Sequence, residues 1–191
     1  MSNQLQDAFE PDDALVIVDV QNDFCPGGTL PIKAGDTVVP VLNRWIEAAV
    51  IKHTPVYASR DWHPIHHISF HQQGGPWPPH CIQDTDGARF HAGLQLPNSI
   101  IKITKGVRFD QDQNSIFDAT GIAYHFRQKG IKRLWVGGLA EDVCVLATVL
   151  DARRNDFDVV VIQNATMPVS ADSGERAREQ MREAGARFEC R

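Results

Sequence analysis

Continuous apolar runs of strand length alternate along the chain with stretches in which apolar side chains recur every three or four residues. The first pattern is typical of parallel strands buried on both faces, and the second is typical of the helices that cover them. The predicted strands are Ala14–Asp19, Pro55–Arg60, Ile100–Thr104, Arg133–Gly137, Asp158–Gln163 and a short sixth at Arg187–Glu189. We therefore expect a three-layer α/β/α fold, Rossmann-like, with a six-stranded and mostly parallel sheet.

The helical spacing falls between these strands. The predicted helices are Thr37–Lys52, Gly121–Lys129, Asp142–Arg153 and Ser170–Ala184. The last of them begins with side chains that can cap a helix and stops before Gly185, a residue type that often ends helices. We expect the first and third helices to pack on the sheet through their apolar faces.

One segment, residues 61–99, is too long and too rich in glycine, proline and histidine to be an ordinary connection. Five of the eight histidines lie between positions 61 and 80. Long irregular segments inside compact domains are usually functional. No linker divides the chain, so we predict a single domain over residues 1–191 in which residues 61–99 form an insertion.

Composition and charge exclude several classes of partner. The chain has 191 residues, is 42% hydrophobic and carries a formal charge of -5 without a basic run, so a nucleic-acid partner is not expected. Residues 1–13 lack the features of an export signal, and no apolar run is long enough for a membrane span, so a cytoplasmic location without a membrane partner is expected. The four cysteines form no Cys-x-x-Cys pair, so free thiols are expected. Assembly into a homo-oligomer stays open.

Three reactive side chains follow different predicted strands. Asp19 ends the first, Lys105 follows the third, and Cys144 follows the fourth through a glycine pair and opens a helix. Taken separately, these residues are more simply explained as a helix cap, a solvated cation and a packed core thiol. Ligands bind at the carboxyl ends of open parallel sheets, so we expect the three at one rim. There the helix terminus and the rim cation would favour the Cys144 thiolate, and the carboxylate would accept its proton.

Five motifs allow a family comparison. They are Val16–Phe24 (VIVDVQNDF), Asp61–Pro64 (DWHP), Trp77–Cys81 (WPPHC), Lys105–Gly106 and Gly138–Val145 (GLAEDVCV). Across roughly residues 15–165 the chain resembles the nicotinamidase/pyrazinamidase branch of the isochorismatase-like (cysteine hydrolase) superfamily. The resemblance implies a small-molecule substrate, nicotinamide, and also pyrazinamide. It implies hydrolysis to nicotinate and ammonia through a cysteine thioester.

The same resemblance implies the catalytic residues. The triad would be Asp19, Lys105 and Cys144. The oxyanion would be received by the backbone N–H groups of Ala140 and Cys144, with a cis peptide between Leu139 and Ala140. Phe24 and Trp77 match aromatic positions that flank the substrate ring, although both also suit an ordinary core.

The resemblance further implies one divalent metal ion held by Asp61, His63 and His80. His67 matches a histidine that is a ligand in some relatives and lies behind the ligands in others. One carboxylate and two imidazoles suit zinc foremost, and also iron or manganese. We assign the other loop histidines, His66, His71 and His91, to the solvated surface.

Two positions depart from the pattern of the family, and two other functions remain open. Glu141 stands where relatives commonly have threonine. Its carboxylate either lies near the Cys144 thiol and raises the pKa of that thiol, or it points outward as an acid in the first turn of the helix. Asn114 stands where tyrosine is frequent. The first alternative function is a metal-independent relative that acts on another amide or an isochorismate-like substrate. The second, of another class, is a noncatalytic or redox-sensing α/β protein in which Cys144 is oxidised.

Overall fold

The centre of the fold is an open sheet. The computed structural model describes residues 5–191, and its six strands follow the order β3-β2-β1-β4-β5-β6. They are β1 (Asp13–Val18), β2 (Val56–Asp61), β3 (Ile101–Lys105), β4 (Arg133–Leu139), β5 (Asp158–Met167) and β6 (Arg187–Glu189). All neighbouring strands are parallel, so the α/β sheet is confirmed and is wholly, instead of mostly, parallel.

The helices occupy the predicted segments with shifts of one residue at their ends, except that the third begins four residues later than predicted. They are α1 (Val38–Ile51), α2 (Ile122–Gln128), α3 (Leu146–Arg154) and α4 (Ala171–Glu183). The predicted cap of α4 is present, because the Ser170 side chain accepts a hydrogen bond from the backbone N–H of Ser173. Gly185, with φ +89°, follows the end of α4 as expected. None of the helices among residues 5–191 has the length and apolar character that a membrane crossing requires.

Strand β1 shows why the sheet has three layers. Leu15 and Ile17 point into the core beneath α1, whereas Ala14, Val16 and Val18 point into the core beneath α2, α3 and α4. All five side chains are fully buried. Because successive strand residues face opposite sides, a run that is apolar on both faces requires helices on both faces. That the whole chain forms one domain stays a prediction.

The strand order places a crevice at the centre of the sheet. The chain moves outward from β1 to β2 and β3, and then returns to β4 on the other side of β1. In open parallel sheets the loops diverge at such a reversal and leave a binding crevice at the carboxyl ends of the strands. Asp19 follows β1 directly, and Cys144 lies in the turn that follows β4.

Candidate active site

The end of β4 approaches β1 unusually closely. At Gly138, which has φ +132°, a Cβ atom would lie 2.0 Å from the carbonyl oxygen of Val18. Only glycine permits this approach and this backbone conformation. The peptide that joins Leu139 to Ala140 is cis, as the family resemblance implied. The chain then enters the turn that carries the thiol.

The turn Glu141–Val145, the nucleophile turn below, is π-helical, and α3 begins only at Leu146. The backbone N–H of Val145 donates to the carbonyl of Ala140 at 3.1 Å, five residues back. The prediction of a regular helix from Asp142 was therefore wrong for its first turn. Single π-helical turns of this kind are frequent at functional sites. Cys144 is 4% exposed and lines the crevice.

Lys105 joins the candidate catalytic groups. Its Nζ lies 2.8 Å from Oδ2 of Asp19, 2.7 Å from Oδ1 of Asp61 and 3.5 Å from Sγ of Cys144. The carbonyl of Gln113 accepts a further bond from Nζ at 3.3 Å. Lys105 ends β3 at the edge of the sheet where we expected it, but it is not a solvated cation, because its side chain is 0% exposed. The structure thus brings the three predicted residues together around one buried ammonium.

Burial decides the protonation of this cluster. Burial raises the pKa of the Cys144 thiol well above its usual value, although Lys105 acts in the opposite direction. Burial also raises the pKa of Asp19, again against Lys105. Burial alone would lower the pKa of Lys105, but Asp19 and Asp61 outweigh it and hold that pKa well above its usual value. Burial thus opposes the effect expected of the helix terminus and the cation, and it favours a neutral thiol at Cys144 beside the buried carboxylate of Asp19.

Asp61, His63 and His80 converge beside this cluster. Their donor atoms all lie within 4.8 Å of one another, with Oδ2 of Asp61 3.7 Å from Nε2 of His63. The Nδ1–H of His63 donates to the Gly106 carbonyl at 2.8 Å, and the Nδ1–H of His80 donates to the Pro78 carbonyl at 2.8 Å. In the neutral tautomer that these bonds select, Nε2 of each ring is the nitrogen with the lone pair for a metal ion.

This donor set suits a divalent metal ion. Burial and the neighbouring imidazoles of His80 and His67 lower the pKa of His63 to about 3, so its ring is neutral. Neutral imidazoles and one carboxylate suit zinc, iron or manganese. Oδ1 of Asp61 contacts Nζ of Lys105, and Oδ2 faces Nε2 of His63. One carboxylate therefore joins the cluster around Lys105 to the candidate metal ligands.

His67 stacks on His63 with the ring centroids 4.1 Å apart. Its Nδ1 is 2.7 Å from Oγ of Ser69, while its buried Nε2 has no hydrogen-bond partner among residues 5–191. His67 is outside the group of three donors that share 4.8 Å. His67 therefore contacts one candidate ligand, His63, without being one of the three, and its Nε2 has no partner among the described residues.

The crevice forms a pocket between the two clusters. Phe24, Trp77 and Asn114 line it together with His80 and Cys144. The Phe24 ring is tilted by 55° against the imidazole of His80, with centroids 5.5 Å apart. The structure therefore brings both predicted aromatic residues to the pocket, where a planar ring could pack against them.

Gln21 and Asp23, whose place in the sequence suggests supporting or turn residues without a catalytic step, hold the segments that carry the candidate ligands. The Gln21 side chain accepts from the backbone N–H of Asp61 and donates to its carbonyl, both at 2.8 Å. Oδ2 of Asp23 accepts from the backbone N–H of Cys81 at 2.7 Å, next to His80. Both are buried polar residues of the segment that follows β1. Both lie in the motif Val16–Phe24, which carries the family resemblance, but their partners are 40 and 58 residues away and could not be read from it.

The remaining predicted positions divide between surface and core. His66 and His71 are exposed, and His91 is half-buried and accepts a hydrogen bond from the backbone N–H of Gly93. Glu141 does not point outward as a helix acid, because it is 1% exposed. Its Oε2 instead lies 2.7 Å from Nη1 of Arg178. The outward orientation was wrong because a cation of α4 lies directly against this turn.

The chain is similar to a known family and to solved structures over nearly its whole length. The isochorismatase-domain family model matches residues 13–190. The nicotinamidase of Escherichia coli is 36% identical over 92% of this chain and 93% of its own. The crystal structure of the pyrazinamidase of Pyrococcus horikoshii in complex with zinc superimposes with a TM-score of 0.92 and 40% identity, covering 95% of this chain and 100% of that one.

A third relative is the PnC1 protein of L. infantum, whose structure was solved in complex with nicotinate. It superimposes with a TM-score of 0.86 and 38% identity, covering 93% of this chain and 92% of that one. The matched family model spans nearly the whole sequence, including every segment of the candidate site. The chain therefore belongs to the isochorismatase family of hydrolases.

Proposed function

We propose that the protein is a metal-dependent nicotinamidase, which hydrolyses nicotinamide to nicotinate and ammonia through a thioester on Cys144, and which also accepts pyrazinamide. The observation that carries this proposal is the buried ammonium of Lys105, which contacts Asp19, Cys144 and the metal-ligand candidate Asp61 at once. The similarity to the E. coli nicotinamidase and to a nicotinate complex supports the choice of substrate.

Acylation begins from the neutral thiol. The Cys144 proton passes to Asp19 as the sulfur attacks the carboxamide carbon, and the raised pKa of Asp19 makes it the stronger base for this step. The carbonyl oxygen becomes an alkoxide that the backbone N–H groups of Ala140 and Cys144 receive, each typically worth about 3 kcal/mol. Lys105 balances the negative charge while the proton moves. When the C–N bond breaks, Asp19 returns the proton to the leaving nitrogen, and ammonia departs.

Deacylation uses the same carboxylate. Asp19 removes a proton from water, the hydroxyl adds to the thioester carbon, and the backbone N–H groups again receive the oxyanion. The C–S bond then breaks, Asp19 returns the proton to the sulfur of Cys144, and the nicotinic acid that forms loses its remaining proton to solvent and is released as nicotinate. The neutral thiol and the carboxylate of the resting site are thereby restored.

Asp61, His63 and His80 would hold the metal ion. The bound ion would engage the pyridine nitrogen, directly or through a water molecule, and thereby orient the carboxamide toward Cys144. Zinc is the proposed ion, supported by the zinc complex of the P. horikoshii relative. Phe24 and Trp77 would flank the ring. Exclusion of water from the buried cluster around Lys105 would keep the interactions between its charged groups strong.

The alternative functions fit the site less well. A metal-independent hydrolase has no use for two imidazoles with free Nε2 atoms beside a carboxylate. A redox sensor needs an accessible cysteine of low pKa, whereas Cys144 is buried and its pKa is raised.

Ammonia release from nicotinamide tests the proposal. The purified protein would be stripped with a chelator and assayed before and after addition of zinc, manganese or iron(II), with Cys144→Ala and the exposed-thiol control Cys190→Ala. We expect activity that requires metal and Cys144 but not Cys190. Full activity of Cys144→Ala, or of the chelated protein, would contradict the proposal.

A further inference from the structure

Two consecutive acidic residues attach the nucleophile turn to α4. Oε2 of Glu141 lies 2.7 Å from Nη1 of Arg178, and Oε1 accepts from Oγ1 of Thr166 at 3.2 Å. Oδ1 of Asp142 accepts from the backbone N–H of Val169 at 2.9 Å, just before α4 begins. The turn is thus held at its first two residues by contacts that come from outside it.

The Glu141 contact is unusual because it is buried. Glu141 is 1% exposed, and the side chain of Arg178 is 20% exposed. A buried ion pair is expensive to desolvate, and apolar residues of similar size often stabilise a fold as well or better. Stability alone therefore does not account for a charged pair at this place. A need for fixed geometry accounts for the charged pair, because an ion pair with an added hydrogen bond holds the Glu141 carboxylate in one orientation.

We propose that Glu141 is a positioning residue for the nucleophile: its ion pair with Arg178 fixes the turn between Ala140 and Cys144. The inference rests on the proposed function and deepens it. Ala140 offers a backbone N–H to the oxyanion, and Cys144 must stay within reach of Asp19. Glu141 stands between these two functional groups in the chain, while its side chain is directed toward α4 and is not part of the pocket lining among the described residues.

Glu141→Gln tests this role, because it removes the charge and keeps the shape. We expect kcat for ammonia release to fall by about 10- to 100-fold, since a small misplacement of reacting groups has effects of this size. KM should stay within about twofold, because the ring pocket is unchanged. Glu175→Gln is the matched control: Glu175 also contacts Arg178, at 3.5 Å, but is 80% exposed, so its kcat should stay within about twofold.

The partner can be tested in the same way. Arg178→Met removes the other half of the ion pair, and we expect a similar loss of kcat. The double variant Glu141→Gln with Arg178→Met should lose little more than either single variant, because both act through one contact. If the kcat of the double variant fell by the product of the two single-variant factors, a shared role for the pair would be contradicted.

Hydrogen exchange separates positioning from general loss of stability. In Glu141→Gln, amides of residues 140–146 should exchange faster, while peptides from β1 keep the wild-type rate. Equal acceleration throughout the protein, an unchanged kcat, or a loss confined to KM would each overturn the inference. If the wild-type protein released no ammonia from nicotinamide, the proposed function would fail. The exchange comparison would still decide whether Glu141 holds the turn.

Discussion

Replacing Lys105 by methionine removes the charge at the centre of the site with little change in volume. The ammonium contacts Asp19 and Asp61 at 2.8 and 2.7 Å, and its side chain is 0% exposed. Its loss leaves two buried carboxylates without their nearest cation. Removing one partner of a buried ion pair typically costs about 3 to 5 kcal/mol. We expect Lys105→Met to lose at least about 3 kcal/mol of unfolding free energy near neutral pH, together with nearly all activity.

The pH dependence of this loss has a definite sign. Burial raises the pKa of Asp19 even in the presence of Lys105, and without that cation the pKa rises further. A carboxyl whose folded pKa lies above its unfolded value of about 3.9 binds more protons in the folded state. The unfolding free energy then falls as pH rises between the two values. The deficit of Lys105→Met against wild type should therefore shrink as pH is lowered from about 7.5 to about 5.5.

Urea unfolding at the two pH values measures this, with metal removed by a chelator so that only protein groups contribute. Lys102→Met is the matched control, because Lys102 lies on the same strand, β3, and is exposed. We expect the control to stay within about 0.5 kcal/mol of wild type. A loss below about 1 kcal/mol for Lys105→Met, or a deficit that grows at lower pH, would refute the reasoning on the buried cation.

Two further predictions concern single side chains. Iodoacetamide should label exposed Cys190 before Cys144 near neutral pH, because burial limits access to Cys144 and raises its pKa. Peptide mapping that finds Cys144 labelled first would contradict this. His80→Ala should lower the zinc content after dialysis, because it removes one of three candidate ligands, whereas exposed His66→Ala should not; elemental analysis that finds equal zinc in both variants would remove His80 from the site.

The sequence predicted which residues converge, because the carboxyl ends of parallel strands meet at one edge. Apolar periodicity placed the strands, and the residues that follow them, Asp19, Lys105 and Cys144, lie together as expected. The cis peptide implied by the family resemblance is also present. The apolar pattern was sufficient to predict this convergence, because each of the three residues follows a strand that the pattern had located.

Burial and distant partners could not be predicted in the same way. Lys105 follows an ordinary strand, and nothing near it in the chain shows that a loop closes over it and that Asp61 shares it. The sequence left open whether Glu141 is an outward helix acid or a carboxylate near the thiol, because its partner, Arg178, lies 37 residues away on α4. The raised pKa of Cys144 follows from the same burial, which outweighs the opposite effect of the Lys105 ammonium.

The most direct test of the account is the mass of the enzyme during turnover. Metal-loaded protein would be mixed with nicotinamide, quenched with acid within one turnover, and digested for mass spectrometry. The account predicts that the peptide containing Cys144 carries a nicotinoyl group in place of one hydrogen, and that Cys144→Ala carries none. Ammonia released by the wild-type protein at the usual rate, with no adduct on residue 144 at any quench time, would contradict it.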